Sequence, residues 1–186
     1  MALLQFGQPV GTIIQLGYTV ADLERGMEDY TATLGVGPWF LRGPFTPPEG
    51  HYRGQPVVDV RLTLARGFAG HMMIELIEQH DELPSVWRET VLRRGHGFHH
   101  WAIASRSFDD DLQRHRARGY EIAFSDRGST GARVVYLDPP REELPGMIEL
   151  VEFTEAQEQL YTRMYCAALS WDGSEPVRRL AEDGGR

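Results

Sequence analysis

Met73-Ile74-Glu75-Leu76-Ile77-Glu78 returns 74 residues later as Met147-Ile148-Glu149-Leu150-Val151-Glu152. A near-copy at a fixed offset marks a duplicated structural unit, and that decides how the rest of the chain is read. Upstream of each copy lies a second matching pair, Ile13-Ile14-Gln15-Leu16-Gly17-Tyr18-Thr19-Val20 and Phe98-His99-His100-Trp101-Ala102-Ile103-Ala104-Ser105. Both read as strands and both run into helices. The first helix opens on Asp22 as its cap, carries Leu23, Met27, Tyr30 and Leu34 at helical spacing, and ends at Gly35. Its counterpart runs from about Ser107 to Gly119.

Strand-like runs follow each helix: Trp39 to Arg42, Val57 to Ala65 and His71 to Ile77, then Tyr120 to Phe124, Arg133 to Leu137 and Met147 to Phe153. Each half therefore reads strand, helix, strand, strand, strand. The expected fold class is α+β, with two βαβββ modules in one domain over residues 1–154. Module one spans 12–79, a linking helix with Val86, Trp87, Val91 and Leu92 inward spans 84–95, and module two spans 96–153. Residues 155–186 read as a C-terminal helix packing on the sheet and a tail that frays at Gly184-Gly185-Arg186.

With 186 residues, of which 41% are hydrophobic, the chain suits one compact domain or two small modules sharing a core. Its net charge is −8, and its 19 basic residues, all arginine, form no cluster, which argues against a nucleic-acid partner. The absence of lysine excludes a Schiff-base lysine and the phosphate-binding lysine of a Walker A loop. The first twenty residues have neither a charged n-region nor an unbroken apolar run, so no signal peptide or membrane span is expected, and the cytoplasm is the default compartment. The single cysteine, Cys166, lies in a helical pattern and is expected to be a buried structural thiol.

Alternation along a strand puts Met73, Glu75 and Ile77 on one face, and likewise Met147, Glu149 and Val151. Each copy thus sets a carboxylate among apolar neighbours, where an unpaired charge costs several kcal/mol. With no basic residue inside either strand, the cheapest partner for both is a cation bound between them. The first strands add Gln15 and His100 at matching positions, giving two ligands from each half and leaving room on a six-coordinate ion. His99 is expected to point to the opposite face, and parity turns Glu78 and Glu152 away as well. Taken singly, each of these residues is ordinary in a strand; their recurrence at equivalent places makes them a set. One divalent ion is expected, and a nitrogen and three oxygens would accept zinc, nickel, cobalt, manganese or magnesium.

On these residues, together with Leu34-Gly35-Val36-Gly37-Pro38-Trp39-Phe40 and Gly95-His96-Gly97-Phe98-His99-His100, the chain resembles the vicinal-oxygen-chelate (VOC) superfamily, in its glyoxalase and methylmalonyl-CoA epimerase branch. The resemblance spans roughly Thr12 to Phe153 and implies a half-open barrel with the metal held by Gln15, Glu75, His100 and Glu149. The set is similar to that of glyoxalase I, whereas epimerases of this group more often carry histidine first and glutamine second. The resemblance implies a metal-dependent isomerase, epimerase or lyase that polarises a carbonyl of a small-molecule substrate and moves the adjacent proton through an enediolate. Glu149 or Glu75 would be the base, and Asp59 falls where an epimerase-type catalytic glutamate would lie on the third strand, a position equally suited to a solvated residue.

Trp39, Phe45, Tyr52, Trp101 and Tyr136 are candidates for an aromatic wall, although core packing is the more ordinary use of such residues. Arg53 and Arg133 are candidates for holding a substrate carboxylate, and the segment Gly43 to Gly54 for a lid. Two other readings stay open: a non-catalytic binding module of the same fold, and an iron(II) extradiol dioxygenase, from whose two-histidine, one-glutamate pattern Gln15 departs. Open sheet edges leave room for a homodimer.

Overall fold

The computed structural model describes residues 3–141, 143 and 145–180. In module one, β1 (Ile13–Thr19) leads into α1 (Leu23–Leu34) and β2 (Trp39–Phe45). A short hairpin, β3 (His51–Tyr52) and β4 (Gln55–Pro56), precedes β5 (Leu62–Ala69) and β6 (Met72–Gln79). After the linking helix α2 (Val86–Arg94), module two repeats the plan with β7 (Gly97–Ser105), α3 (Phe108–Ala117), β8 (Glu121–Arg127), β9 (Arg133–Asp138) and β10 (Met147–Glu152). Helix α4 (Glu155–Leu169) and β11 (Val177–Arg179) end the described chain, and the tail expected to fray lies outside it.

One open sheet takes all the strands in the order β11-β2-β5-β6-β1-β7-β10-β9-β8-β3-β4. Each module therefore orders its strands first, fourth, third, second outward from the centre, where β1 and β7 pair antiparallel. The two halves are related by an approximate twofold axis between β1 and β7. This is the α+β, two-module architecture expected from the repeat, with a sheet that does not close.

Helix α1 starts where Asp22 accepts a hydrogen bond from the Arg25 N–H and stops where Gly35 takes a left-handed conformation, φ 67°. Its buried Leu23 and Met27 pack with Ile74, Leu76 and Ala65 on the outer face of the sheet, and α3 covers module two on the same face through Phe108, Val135, Leu137 and Leu150. On the inner face the alternating residues sort into three bands. At one end Phe68, Met73, Ala102, Ala104 and Val151 form a core with α4 and the N-terminal Leu4 and Phe6. At the other end Leu62, Leu64, Ile77, Met147 and Tyr136 form a second core with Val86 and Trp87 of α2. Between the two runs a polar band.

Several local expectations are corrected. The strand expected from Val57 begins only at Leu62, because residues 57–61 return from the β3–β4 hairpin, which has left module one to pair with β8 of module two. The hairpin turns on Arg53 (φ 48°) and Gly54 (φ 80°), the positive angles that a two-residue loop requires. In α2, Leu92 lies exposed rather than inward, since the helix buries only the stripe carrying Val86, Trp87 and Thr90. Cys166 is exposed, on the face of α4 opposite Met164 and Tyr165. No helix among the described residues is long and apolar enough to cross a membrane.

Candidate metal centre

Two rows of residues cross the polar band. In one, Arg66 of β5 stands opposite Glu75 of β6, Glu75 pairs in register with Gly17 of β1, and Gly17 with His100 of β7. In the other, Tyr136 of β9 stands opposite Glu149 of β10, Glu149 pairs with Ala102 of β7, and Ala102 with Gln15 of β1. The rows are twofold images of each other. Arg66 matches Tyr136, Glu75 matches Glu149, Gly17 matches Ala102, and His100 matches Gln15.

All four expected ligands are buried and converge. His100 Nε2 lies 3.2 Å from Glu149 Oε2, 3.6 Å from Glu75 Oε2 and 3.2 Å from Gln15 Nε2. Gln15 Nε2 also donates to Glu149 Oε2 at 3.3 Å, while Tyr161 of α4 donates to Gln15 Oε1 at 3.5 Å. One ligand atom from each of Glu75, His100 and Glu149 falls within 4.8 Å of the others, a spacing that suits a single ion.

A β-bulge precedes the expected ligand on each first strand. The pairing of β1 with β7 skips Ile14 just before Gln15 and His99 just before His100, so each half carries one extra residue at the equivalent place. This overturns the parity expected for His99. As the extra residue of a bulge it turns inward, is fully buried, and stacks near Trp87. Its Nε2 lies 3.3 Å from the Val86 carbonyl and its Nδ1 2.9 Å from His100 Nδ1. A carbonyl only accepts, so His99 Nε2 carries the hydrogen, its Nδ1 accepts, and His100 Nδ1 donates. His100 Nε2 is thereby the nitrogen left to face the carboxylates. Burial, and then the neighbouring His100, push the His99 pKa well below its ordinary value.

Gly17 makes room for this ring. A Cβ built there would lie 1.9 Å from His100 Cε1, so only glycine lets the imidazole cross β1. Arg66 is a second residue that the sequence reading missed, and it corrects the premise that both carboxylates lack a basic partner. Its Nε donates to Glu75 Oε1 at 2.6 Å, across the strand pair rather than along the strand. Cross-strand register would have found it, had the third strand been correctly bounded.

Glu149 has a different environment. Burial acts to raise its pKa, but the facing His100, the charge of Arg66 and the Tyr136 hydroxyl hold it below the usual carboxylate range. Burial and the neighbouring Glu149 and Glu75 push the Tyr136 phenol well above its ordinary value, so it faces the carboxylate as a neutral donor. Glu149, Arg66 and Tyr136 line a cavity of about 60 Å³ whose walls include the apolar Phe45, Leu62, Leu64, Trp87 and Phe124 and the charged Arg42 and Asp126.

The other candidates sit elsewhere. Trp39 is core on the outer face, its indole N–H donating to Thr31 Oγ1 at 2.9 Å. Trp101, next along the strand from His100, also faces outward and packs on Phe98. Arg133 lies on that face too, bonded to Glu152 and Asp109. Arg53, at the hairpin tip, is tied to Glu89 and Asp138, and Tyr52 donates to Glu89 at 2.8 Å. Asp59 is exposed on the loop into β5, outside the cavity lining. Parity accounts for Trp101 and Arg133, and the displaced hairpin for Arg53, Tyr52 and Asp59.

Solved structures share this arrangement of strands. A hypothetical protein from Bacillus halodurans C-125 superposes with a TM-score of 0.59 at 24% identity, over 79% of this chain and 97% of that one. The methylmalonyl-CoA epimerase from Mycobacterium tuberculosis superposes with a TM-score of 0.53 at 26% identity, over 77% and 88%. A Streptomyces coelicolor methylmalonyl-CoA epimerase variant in complex with 2-nitronate-propionyl-CoA gives 0.54 at 24%, over 80% and 98%. No curated protein matches this sequence. The family model for the Glyoxalase/Bleomycin resistance protein/Dioxygenase superfamily matches residues 14–136, and the chain belongs to that superfamily.

Proposed function

We propose that this chain is a metal-dependent enzyme of the glyoxalase and epimerase type, which moves the proton on the carbon beside a carbonyl of a small molecule. The observation that carries the reading is the convergence of Glu75, His100 and Glu149 within 4.8 Å, with the Gln15 amide against two of them. Two carboxylates and an imidazole nitrogen meeting at one buried point form a ligand set that suits a divalent cation. Glu75, His100 and Glu149 would hold the ion, and Gln15 would join them once its amide turns to exchange Nε2 for Oε1. A divalent ion bound there supplies a Lewis acid for a carbonyl oxygen.

The chain's own groups then divide the work. Glu149 lines the cavity and is ionised at neutral pH, so it serves as the base. It takes the proton and returns it to a carbon of the same unit, changing the position or configuration of the hydrogen without losing atoms. Glu75, clamped by Arg66, is the less mobile carboxylate and stays a ligand. Tyr136 steadies Glu149 by facing it with a neutral hydroxyl. Trp87, Phe124 and Phe45 give the cavity an apolar wall beside Glu149.

Elemental analysis of the purified protein beside a His100→Ala, Glu149→Ala double variant is the test. One metal per chain in the parent, absent from the variant, is expected; no metal in either overturns the reading. Solvent-deuterium exchange into carbonyl compounds, followed by NMR, then tests the base, because full exchange by Glu149→Gln removes its role. Arg66 already compensates Glu75, and this favours a second reading as a binding module. A metal-free protein that holds ligand tightly would select it.

A further inference from the structure

Arg66 offers more than its contact with Glu75 uses. Its side chain lies on the inner face with 14% of its surface exposed, and among the described residues its guanidinium makes one hydrogen bond, from Nε. A guanidinium carries five N–H donors in a planar fork that matches a carboxylate. No atom of Arg66 is among the buried polar atoms left without a partner, so its Nη donors open onto the cavity rather than being sealed in the core. Arg66 lines the cavity together with Glu149 and Tyr136, so its Nη groups remain available to whatever occupies that space.

Charge points the same way. A divalent ion between Glu75 and Glu149 would neutralise the two carboxylates, and Arg66 then leaves the centre one positive charge in excess. In module two the matching residue is the neutral Tyr136. The surplus belongs to module one alone and suits a monoanion. Above this floor most of the wall is apolar, with Phe45, Trp87 and Phe124 presenting flat surfaces and Leu62 and Leu64 aliphatic ones, while Arg42 and Asp126 add one charge of each sign. A cavity of about 60 Å³ seats a small apolar body beside Arg66.

We propose that Arg66 recognises a substrate carboxylate, and that the substrate is a small 2-oxo or 2-hydroxy monocarboxylate with an apolar or aromatic body. The oxygen beside the carboxylate rests on the metal-centre reading; the Arg66 contact belongs to the polypeptide and does not.

Isothermal titration of pyruvate, 3-methyl-2-oxobutanoate and benzoylformate, each beside its neutral amide, tests this in manganese-loaded and EDTA-treated protein. The carboxylates are expected to bind at least about tenfold more tightly than the amides, with affinity rising with the apolar body. Arg66→Gln is expected to erase that preference. Arg66→Lys, which keeps the charge beside Glu75 and guards against a misfolded glutamine variant, is expected to keep part of it. Equal binding of acid and amide by the parent, no binding by any member, or a preference unchanged in a folded Arg66→Gln protein overturns the proposal. If manganese does not bind but the EDTA-treated protein prefers carboxylates through Arg66, the metal-centre reading fails and this one stands.

Discussion

The two modules place the same backbone around the centre and fill it differently. Glu75 and Glu149 hold equivalent positions, as do Met73 and Met147 in register beside them. Around that constant pair four positions have diverged: Gln15 against His100, Ile14 against His99, Gly17 against Ala102, and Arg66 against Tyr136. Module one supplies a carboxylate already compensated by charge and an aliphatic bulge residue that packs into the α4 core. Module two supplies a carboxylate that lines the cavity and a bulge residue that hydrogen-bonds its neighbouring ligand. Duplication sets where Gln15, Glu75, His100 and Glu149 meet, and on the proposed reading divergence decides which carboxylate is held and which is free to react.

Equivalent substitutions in the two halves break this symmetry most sharply at the central strands. Gly17→Ala is expected to drive the His100 ring from its place, since the new Cβ would lie 1.9 Å from it, and to abolish metal binding. The cost in stability is expected at about 1–3 kcal/mol, as for overpacking a core. Ala102→Gly, at the matching position, is expected to cost only about 0.5–1 kcal/mol and to leave the metal in place. Chemical denaturation with elemental analysis reads both. Retention of one metal per chain by Gly17→Ala would show that His100 is not needed as a ligand.

The bulge residues give the next contrast. His99→Phe removes the acceptor that holds His100 Nδ1–H, and metal affinity is expected to fall about 10–100-fold, as when a ligand histidine loses its outer partner. Ile14→Val is expected to cost about 0.5–1.5 kcal/mol of stability with metal affinity unchanged. Competition with a chromophoric chelator measures the first, and equal metal affinity in the two variants would refute the role given to His99.

The reach of the sequence follows from what a repeat can and cannot encode. The MIEL copies and the paired first strands expose Gln15, Glu75, His100 and Glu149, because each pair recurs at one offset and strand alternation needs no tertiary information. His99 was misread because a bulge breaks alternation, and Ile13-Ile14 and His99-His100 carry no local mark of one. Arg66 was missed because its contact runs between strands, where register matters more than composition. Arg53, Tyr52 and Asp59 were placed by their position in module one, but their hairpin had crossed to the edge of module two. The short β3 pairing that carries it across has no hydrophobic run to announce it.

Tyr136→Phe sharpens the contrast between the two carboxylates at smaller amplitude. It removes the neutral donor that faces Glu149 but no charge, and is expected to slow deuterium exchange by a few-fold, equivalent to about 1 kcal/mol, with metal content unchanged. An unchanged exchange rate would separate Tyr136 from the chemistry.

The smallest effect is expected on the outer face, at Arg133, where the sequence suggested a substrate contact. Arg133 donates to Glu152 and Asp109, and its hydrogen bonds lower the Glu152 pKa. A carboxylate lowered in the folded state stabilises it fully above the ordinary glutamate value, and the gain fades as pH falls through the lowered one. The pair is solvent-screened and contributes about 0.2–1 kcal/mol, so Arg133→Gln is expected to lower the melting temperature by at most about 4 °C at neutral pH, and by less in acid. Carboxylate binding is expected to be unaffected, because Arg133 and the cavity lie on opposite faces of the sheet. A loss of acid-over-amide preference in this variant would move substrate recognition from Arg66 to the outer face and undo the asymmetry between the two carboxylates.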